Sequence, residues 1–195
     1  MSDKLAIEPT KTALLAMDYQ AGIVAGYASN QHDLLGRTAR LLAAARKAEM
    51  AIIHIVVGFR PGYAEVSPRN LSFSAIRQSG CFLPGDADTA IHRDVAPVEG
   101  DIVITKHRVS AFAGTDLEMI LRAKGIEHLL LAGIATSGVV LSTTRHAADA
   151  DYRITIVRDC CSDRDEEVHR VLMDKILPRQ ASVITLADLL AAFPA

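Results

Sequence analysis

The chain has 195 residues, of which 50% are hydrophobic and 23% charged, with a formal net charge of −2. This length and apolar content are sufficient for one domain with a sizeable core, so we expect a single domain over residues 1–195. Without a cluster of Lys or Arg there is no basic face for nucleic acid, and we expect no such partner. No apolar run approaches the roughly 18–20 residues that span a bilayer, and the N-terminus lacks a signal-peptide layout, so we expect no membrane partner and a cytoplasmic location.

Apolar runs in the chain predict buried strands separated by helical patterns. In chain order the runs are Thr12–Asp18, Ala51–Phe59, Asp101–Lys106, His128–Ile134, Arg153–Asp159 and a short strand with a final helix in Ala181–Leu190. Nearly continuous Ile, Val and Leu strands that alternate with helices are typical of a parallel sheet covered on both faces. We therefore predict a three-layer α/β/α sandwich with a six-stranded, mainly parallel sheet.

Two segments depart from this alternation. Residues 60–100 hold four of the seven prolines and have poor periodicity, which predicts a long connection between two strands with about one short helix. Connections of this length inside a domain are usually functional. Later, Asp163 is followed three residues on by Glu166, a spacing that fits a capping box at the start of a charged helix.

The cysteines do not form a recognisable structural pattern. There are three, Cys81 and the adjacent Cys160 and Cys161, and an odd count with a neighbouring pair does not describe a disulfide framework. No Cys or His pair falls at the spacing of zinc ligands. Cys160 and Cys161 follow a predicted strand end, but a free cysteine is often a small buried hydrophobe, so packing is the preferred interpretation.

Polar residues at the carboxyl ends of the predicted strands are the candidates for chemistry, because ligands of such sheets bind there. They are Asp18, Lys106 and the corner Ala135–Val139. Alone, each is commonly a cap or a solvated charge. Together, a carboxylate beside an ammonium forms an acid/base whose pKa is set by its neighbour. We predict that Asp18 and Lys106 lie at neighbouring strand ends, within salt-bridge or one-water distance.

The motifs, taken in order, resemble those of the isochorismatase-like hydrolases, also called cysteine hydrolases, which include nicotinamidases and N-carbamoylsarcosine amidases. "TALLAMDYQ" is similar to the family's opening strand, with its catalytic aspartate and following glutamine. Residues 100–149 are similar to its centre, with the catalytic lysine, Ser-x-Phe, Gly-Thr-Asp-Leu and Gly-x-x-Thr elements. Residues 151–173 resemble its last third. The resemblance implies that Asp18 is the acid/base and Lys106 its partner.

The resemblance fails at the nucleophile. In the covalent members the corner reads Gly-x-x-Thr-x-x-Cys, whereas here Gly133 and Thr136 match and Val139 stands in the place of the cysteine. Valine cannot attack a carbonyl group or hold an acyl group, so the thioester route is closed. The family also contains isochorismatases without this cysteine, thought to protonate a vinyl ether with the aspartate before water adds. The sequence is compatible with that route.

The remaining site residues surround this corner. The resemblance implies a cis peptide bond between Ile134 and Ala135, and we expect N–H groups of the corner to bind a substrate oxygen. No histidine is recognisably placed to activate Thr136 or Ser137, so helix capping and oxygen-side hydrogen bonding are the preferred roles. The expected oxygen-binding residues are Ala135, Thr136, Ser137 and Gly138. The expected pocket wall consists of Gln20, Phe59, Arg60, Ser110 and Phe112.

The sequence is compatible with three functions. The preferred one is hydrolysis of a small metabolite by an Asp/Lys pair, without a cysteinyl intermediate and without a metal or cofactor, since the Asp-x-His metal motif of nicotinamidases is missing. The second is a non-catalytic ligand-binding or assembly member of the same family. The least favoured is a cysteine amidase that uses Cys160 or Cys161. Family members are commonly dimers or larger, so we expect a homo-oligomer in which the long connection, with Tyr63, Phe73 and Phe82, or the helix from Ser137 meets a second subunit.

Overall fold

The computed structural model describes residues 7–27 and 33–193 of the chain. Within them a six-stranded sheet has the order β3-β2-β1-β4-β5-β6, and every pair of neighbouring strands is parallel. The strands are β1 Thr12–Met17, β2 Ala51–Val57, β3 Ile102–Lys106, β4 His128–Ile134, β5 Arg153–Ser162 and β6 Ser182–Ile184. The predicted fold class is confirmed, and the sheet is parallel throughout.

Helices cover both faces of this sheet. They are α1 Ala21–Tyr27, α2 Leu34–Lys47, α3 Leu71–Ser79, α4 Leu117–Ala123, α5 Leu141–Asp149, α6 Glu166–Val171 and α7 Leu186–Ala192. Alternate strand residues divide between two apolar clusters, so that Leu15 packs on the α4 and α5 side whereas Leu14 packs on the α2 and α7 side. In the described part of the chain, no helix combines the length and the apolar character needed to cross a membrane.

The fifth strand is longer than its sequence pattern predicts. It continues past Asp159 to Ser162, because a register shift against β4 lets Cys161 pair with Gly133. Cys160 and Cys161 therefore lie inside a strand rather than after its end. Their side chains belong to the apolar clusters on opposite faces of the sheet, which confirms the interpretation of both as buried packing residues.

The long connection between β2 and β3 contains α3 and two 3₁₀ turns, Ala87–Thr89 and Arg93–Val95. It forms an apolar cluster of its own, in which the rings of Tyr63 and Phe73 each lie 5.6 Å from that of Phe59. Both side chains are buried within the chain itself. These two aromatic residues are therefore ordered by packing within the chain.

The strands β1 and β4 approach each other unusually closely at their carboxyl ends. Met17 is in register with Gly133, and a Cβ atom on Gly133 would lie 2.6 Å from the Met17 carbonyl oxygen and 2.8 Å from its Cβ. Real Cβ atoms do not come this close to other atoms, so the contact requires glycine. It holds the end of β1, which precedes Asp18, against the end of β4, which leads into the corner.

We predict that Gly133→Ala lowers the free energy of unfolding by about 1–3 kcal/mol, the usual range for overpacking a core site. Gly26→Ala on α1 is the matched control, because the nearest atom to its added Cβ is 3.8 Å away. That variant is expected to be neutral or slightly stabilising. Urea unfolding of both variants tests the contact, and equal stabilities would contradict it.

Candidate active site

Asp18 and Lys106 form a buried ion pair. The Asp18 Oδ2 atom lies 2.9 Å from Lys106 Nζ, and the two side chains are 6% and 3% exposed. The predicted distance is confirmed, but the two strands are not neighbours, because β2 lies between β1 and β3. Since strands are spaced about 4.8 Å apart, the long lysine side chain must extend across the end of β2 to reach the carboxylate.

The backbone of Asp18 directs its side chain toward Lys106. Lys106 alternates with Ile104 and so belongs to the sheet face of Met17, whereas an extended residue 18 would point to the opposite face, with Ala16. Instead Asp18 has a φ of 58°, and its N–H donates to the Ile55 carbonyl at 2.8 Å. A non-glycine residue in this left-handed region costs on the order of 1 kcal/mol and is often found at functional sites.

The two oxygens of the Asp18 carboxylate have different surroundings. Asp18 Oδ1 is buried and makes no hydrogen bond to the residues that the structure describes. An unpaired buried acceptor costs about 1–3 kcal/mol, so a position of this kind needs an explanation such as catalysis. Burial raises the pKa of Asp18, and the charge and hydrogen bond of Lys106 only partly oppose this effect. The group is therefore suited to hold and release a proton.

The corner after β4 is a kinked turn that leads into α5. The Ile134–Ala135 peptide bond is cis, as the resemblance implies. Residues Thr136–Val140 form a π-helical turn whose backbone is non-helical at Gly138. Val139 is buried in the apolar cluster that also contains Phe112 and Cys161.

Two N–H groups of the corner are already bonded within the protein. Ser137 N–H donates to Asp163 Oδ2 at 2.7 Å, and Gly138 N–H donates to the Ala135 carbonyl at 3.1 Å. The expectation that Ser137 and Gly138 bind a substrate oxygen is therefore not supported. The predicted capping box, in which Asp163 caps the following helix, is not formed, because Asp165 accepts the hydrogen bonds at the start of α6.

The Thr136 hydroxyl has a histidine partner that the sequence did not reveal. Thr136 Oγ1 donates to the Ser162 carbonyl at 3.1 Å and lies 2.8 Å from His169 Nδ1. The sequence showed no histidine recognisably placed to activate this hydroxyl, and His169, which lies beside it, is 33 residues away in the chain. Neither Thr136 nor Ser137 caps the turn with its side chain, since Ala135 occupies the N-cap position. With its proton donated to Ser162, the hydroxyl can only accept from His169, an arrangement that does not activate Thr136 as a nucleophile.

Gln20, Phe59 and Arg60, expected in the pocket wall, contact the long connection between β2 and β3. The Gln20 amide is buried and fully used, since Nε2 donates to the Val57 and Thr89 carbonyls and Oε1 accepts from Val57 N–H. These hydrogen bonds attach the long connection between β2 and β3 to the sheet. Phe59 and Arg60 line a cleft of about 380 Å³, whose other lining residues include Thr105 and His107. These two flank Lys106 in the sequence, so alternation directs them away from the lysine's face.

The loop after β3 lies closer to the corner. Phe112 is buried in the same cluster as Val139, and its ring stacks on that of His146 with centroids 4.5 Å apart. Ser110 Oγ accepts from the Phe112 N–H at 3.3 Å and so shapes this loop. Phe112 is therefore beside the corner, and Ser110 orients it.

The thiols of the described residues differ in their surroundings. Burial raises the pKa of Cys160 to about 12 and raises that of Cys161 as well. Since the thiolate is the reactive form, this shift disfavours reactivity of both thiols. Cys81 is free and exposed. In the same residues, no group of three or more His, Cys, Asp or Glu side chains is arranged to hold a metal ion.

We predict that Lys106→Met lowers the free energy of unfolding by about 3–5 kcal/mol at pH 8, because it leaves a buried carboxylate unpaired. Asp18→Asn/Lys106→Met is the matched control, since Asn tolerates positive φ and carries no charge. Without the lysine the raised Asp18 pKa rises further, so the folded state binds the proton more tightly than the unfolded state and the loss shrinks as pH falls toward 5. A loss that is independent of pH, measured by urea unfolding, would contradict this.

Comparisons with known proteins agree with the sequence resemblance. Residues 12–188 match the isochorismatase domain. The chain is 30% identical to the uncharacterized isochorismatase family protein YecD of Escherichia coli O157:H7, over 96% of this chain and 99% of that one. It is 28% identical to the maleamate amidohydrolase of Pseudomonas putida, over 91% and 84% of the two chains. An isochorismatase family protein from Burkholderia thailandensis superimposes with a TM-score of 0.82 at 29% identity, over 96% and 97%. The chain therefore belongs to the isochorismatase family of hydrolases.

Proposed function

We propose that this hydrolase acts on a small metabolite with Asp18 as general acid or base and Lys106 as the partner that sets its charge, without a cysteinyl intermediate. The observation that carries the proposal is the buried Oδ1 atom of Asp18, which has no hydrogen-bond partner among the described residues, while Lys106 holds the other oxygen. Such an atom can bind the proton that passes to or from a substrate. The raised pKa of Asp18 supports a proton-carrying form.

For a vinyl ether, the proton of Asp18 passes to the terminal alkene carbon and leaves an oxocarbenium ion. Water then adds to this cation and returns a proton to the Asp18 carboxylate, and the resulting hemiketal breaks its C–O bond. For an amide, the ionised carboxylate takes a proton from the attacking water and later delivers it to the leaving nitrogen. In both cases Lys106 stabilises the carboxylate form, and the cycle ends with Asp18 in its starting state.

A substrate oxygen would be bound by the corner after β4. Ser137 and Gly138 use their N–H groups internally. We therefore assign this role to the N–H groups of Ala135, Thr136 and Val139. Positioned backbone donors stabilise developing negative charge because they need little reorganisation during the reaction.

The side chain at position 139 supports a route that does not use a thioester. Val139 packs in an apolar cluster and offers no nucleophile, and burial raises the pKa values of Cys160 and Cys161. A water molecule activated by Asp18 would then be the nucleophile.

A ligand-binding member without turnover is the second candidate. The observation that favours it is the low exposure of Asp18 and Lys106, since the residues that bury this pair have to move before a substrate reaches Oδ1. Both candidates use the same pocket, so they differ in turnover and not in place.

We predict that Asp18→Asn abolishes turnover while the protein stays folded, with a loss of about 10²–10⁴-fold from removing general acid/base catalysis. The measurement is a screen of the wild type and variants against vinyl ethers, small amides and small esters. Cys160→Ala and Cys161→Ala are the controls and should retain activity.

Val139→Cys adds a thiol at the family's nucleophile position beside the same pair, and weak amidase activity in this variant would support an otherwise intact pocket. Loss of activity in either cysteine control would instead support that cysteine as the nucleophile. No turnover by the wild type on any substrate class, together with ligand binding by thermal shift, would favour the second candidate.

We also propose that the protein is a homo-oligomer, a dimer or larger. Leu71, at the start of α3 in the long connection, is 89% exposed, although leucine is usually buried. Light scattering at micromolar concentration is expected to give a multiple of 21.0 kDa. Leu71→Asp should lower this mass if the connection forms the contact, whereas Met119→Asp on α4 is the control. A single-chain mass for the wild type would refute the proposal.

A further inference from the structure

A chain of hydrogen bonds joins α6 to the corner. The Thr136 hydroxyl has one proton, which it donates to the Ser162 carbonyl at 3.1 Å. Its 2.8 Å bond to His169 Nδ1 then requires a proton on that nitrogen, because an oxygen without a free proton can only accept. With both contacts made as hydrogen bonds, His169 carries its proton on Nδ1, and the relay of hydrogen bonds runs from His169 through Thr136 to Ser162.

The same end of β5 holds the next residue of the corner. Asp163 Oδ2 accepts the Ser137 N–H at 2.7 Å, and Oδ1 accepts the N–H of Arg164 at 2.9 Å. Ser162 is also in register with Ile134 at the end of β4. Thr136 and Ser137 are thus bonded to Ser162, the last residue of β5, and to Asp163, which follows it. His169 makes the second hydrogen bond to the Thr136 hydroxyl.

We propose that His169 is a positioning residue of the active site, which holds the Thr136 hydroxyl in place and thereby fixes the corner that carries Val139. This inference rests on the proposed function, because it assigns the corner to substrate binding. His169 makes no contact with the reacting groups and acts only through Thr136. It deepens the proposal by adding a residue from α6, the helix after β5, to the machinery.

The surroundings of His169 suit a neutral donor. Burial lowers its pKa, and the positive charge of Arg158 on β5 acts in the same direction. The acidic groups that oppose this effect are Asp163, Asp174 and Glu166. Protonation at acidic pH would add its proton to Nε2, so the Nδ1–H donor would remain.

The position of His169 does not suggest a core role. It is half-buried on α6 and borders a surface cleft with Glu166, Glu167 and Arg170. No residue of α6 itself is fully buried. A hydrogen-bonding histidine at this place is therefore explained by the relay rather than by apolar packing.

The test compares His169→Leu with His169→Asn. The Asn amide can replace the Nδ1–H donor, whereas Leu fills similar space without one. In His169→Leu we expect faster hydrogen exchange of the Ser137 and Val140 N–H groups, measured by NMR, with an unchanged melting temperature. We also expect kcat on the best substrate of the screen to fall about three- to tenfold, the effect of one neutral hydrogen bond, at constant KM. His169→Asn should stay close to the wild type in both measurements.

Equal effects of Leu and Asn would overturn the inference, because they would show a role in packing. Nitrogen-15 NMR of the wild-type imidazole supplies a second test: the Nδ1–H tautomer supports the relay, and the Nε2–H tautomer overturns it. Neither the exchange rates nor the tautomer requires turnover. An inactive wild type would therefore count against the proposed function, while these two measurements would still decide the role of His169.

Discussion

The burial of one ion pair determines the arrangement around it. Asp18 and Lys106 are sealed from solvent at the carboxyl edge of the sheet, where desolvation opposes the charged form of both groups. Their mutual attraction offsets part of this cost, but it satisfies only one carboxylate oxygen. The remaining desolvation cost falls on Oδ1. A proton or a hydrogen-bond donor of a substrate would relieve it, and this makes the carboxylate suitable for acid/base chemistry.

Two backbone features bring the ends of β1 and β4 close to this pair. The positive φ of Asp18 directs its carboxylate to the face of Lys106, and the glycine contact between β1 and β4 keeps the corner close to the end of β1. On the far side, β5 holds the corner by way of Ser162 and Asp163. The corner is thus fixed from two sides, although its central side chain, Val139, is chemically inert. This arrangement fits an enzyme that activates water, whereas a covalent route would require a nucleophile at that position.

Local patterns in the sequence were sufficient for the sheet and for the proximity of Asp18 and Lys106, because apolar runs mark buried strands and parallel strands share a carboxyl edge. They did not reveal that β2 separates the two residues, since strand order depends on long-range pairing. Likewise, the amide of Gln20 and the imidazole of His169 find partners far away in the sequence. No spacing rule connects residues 136 and 169, so only the folded chain shows this contact.

The central claim is that Asp18 keeps a proton above the pH at which an ordinary aspartate loses it. Carbon-13 NMR of the labelled Asp18 carboxyl group, followed through a pH titration and assigned with Asp18→Asn, measures this most directly. We expect a midpoint above the ordinary value of 3.8, because burial outweighs the attraction of Lys106. A midpoint at or below 3.8 would show that the pair is a simple ion pair, and would contradict the assignment of Asp18 as the group that carries the proton.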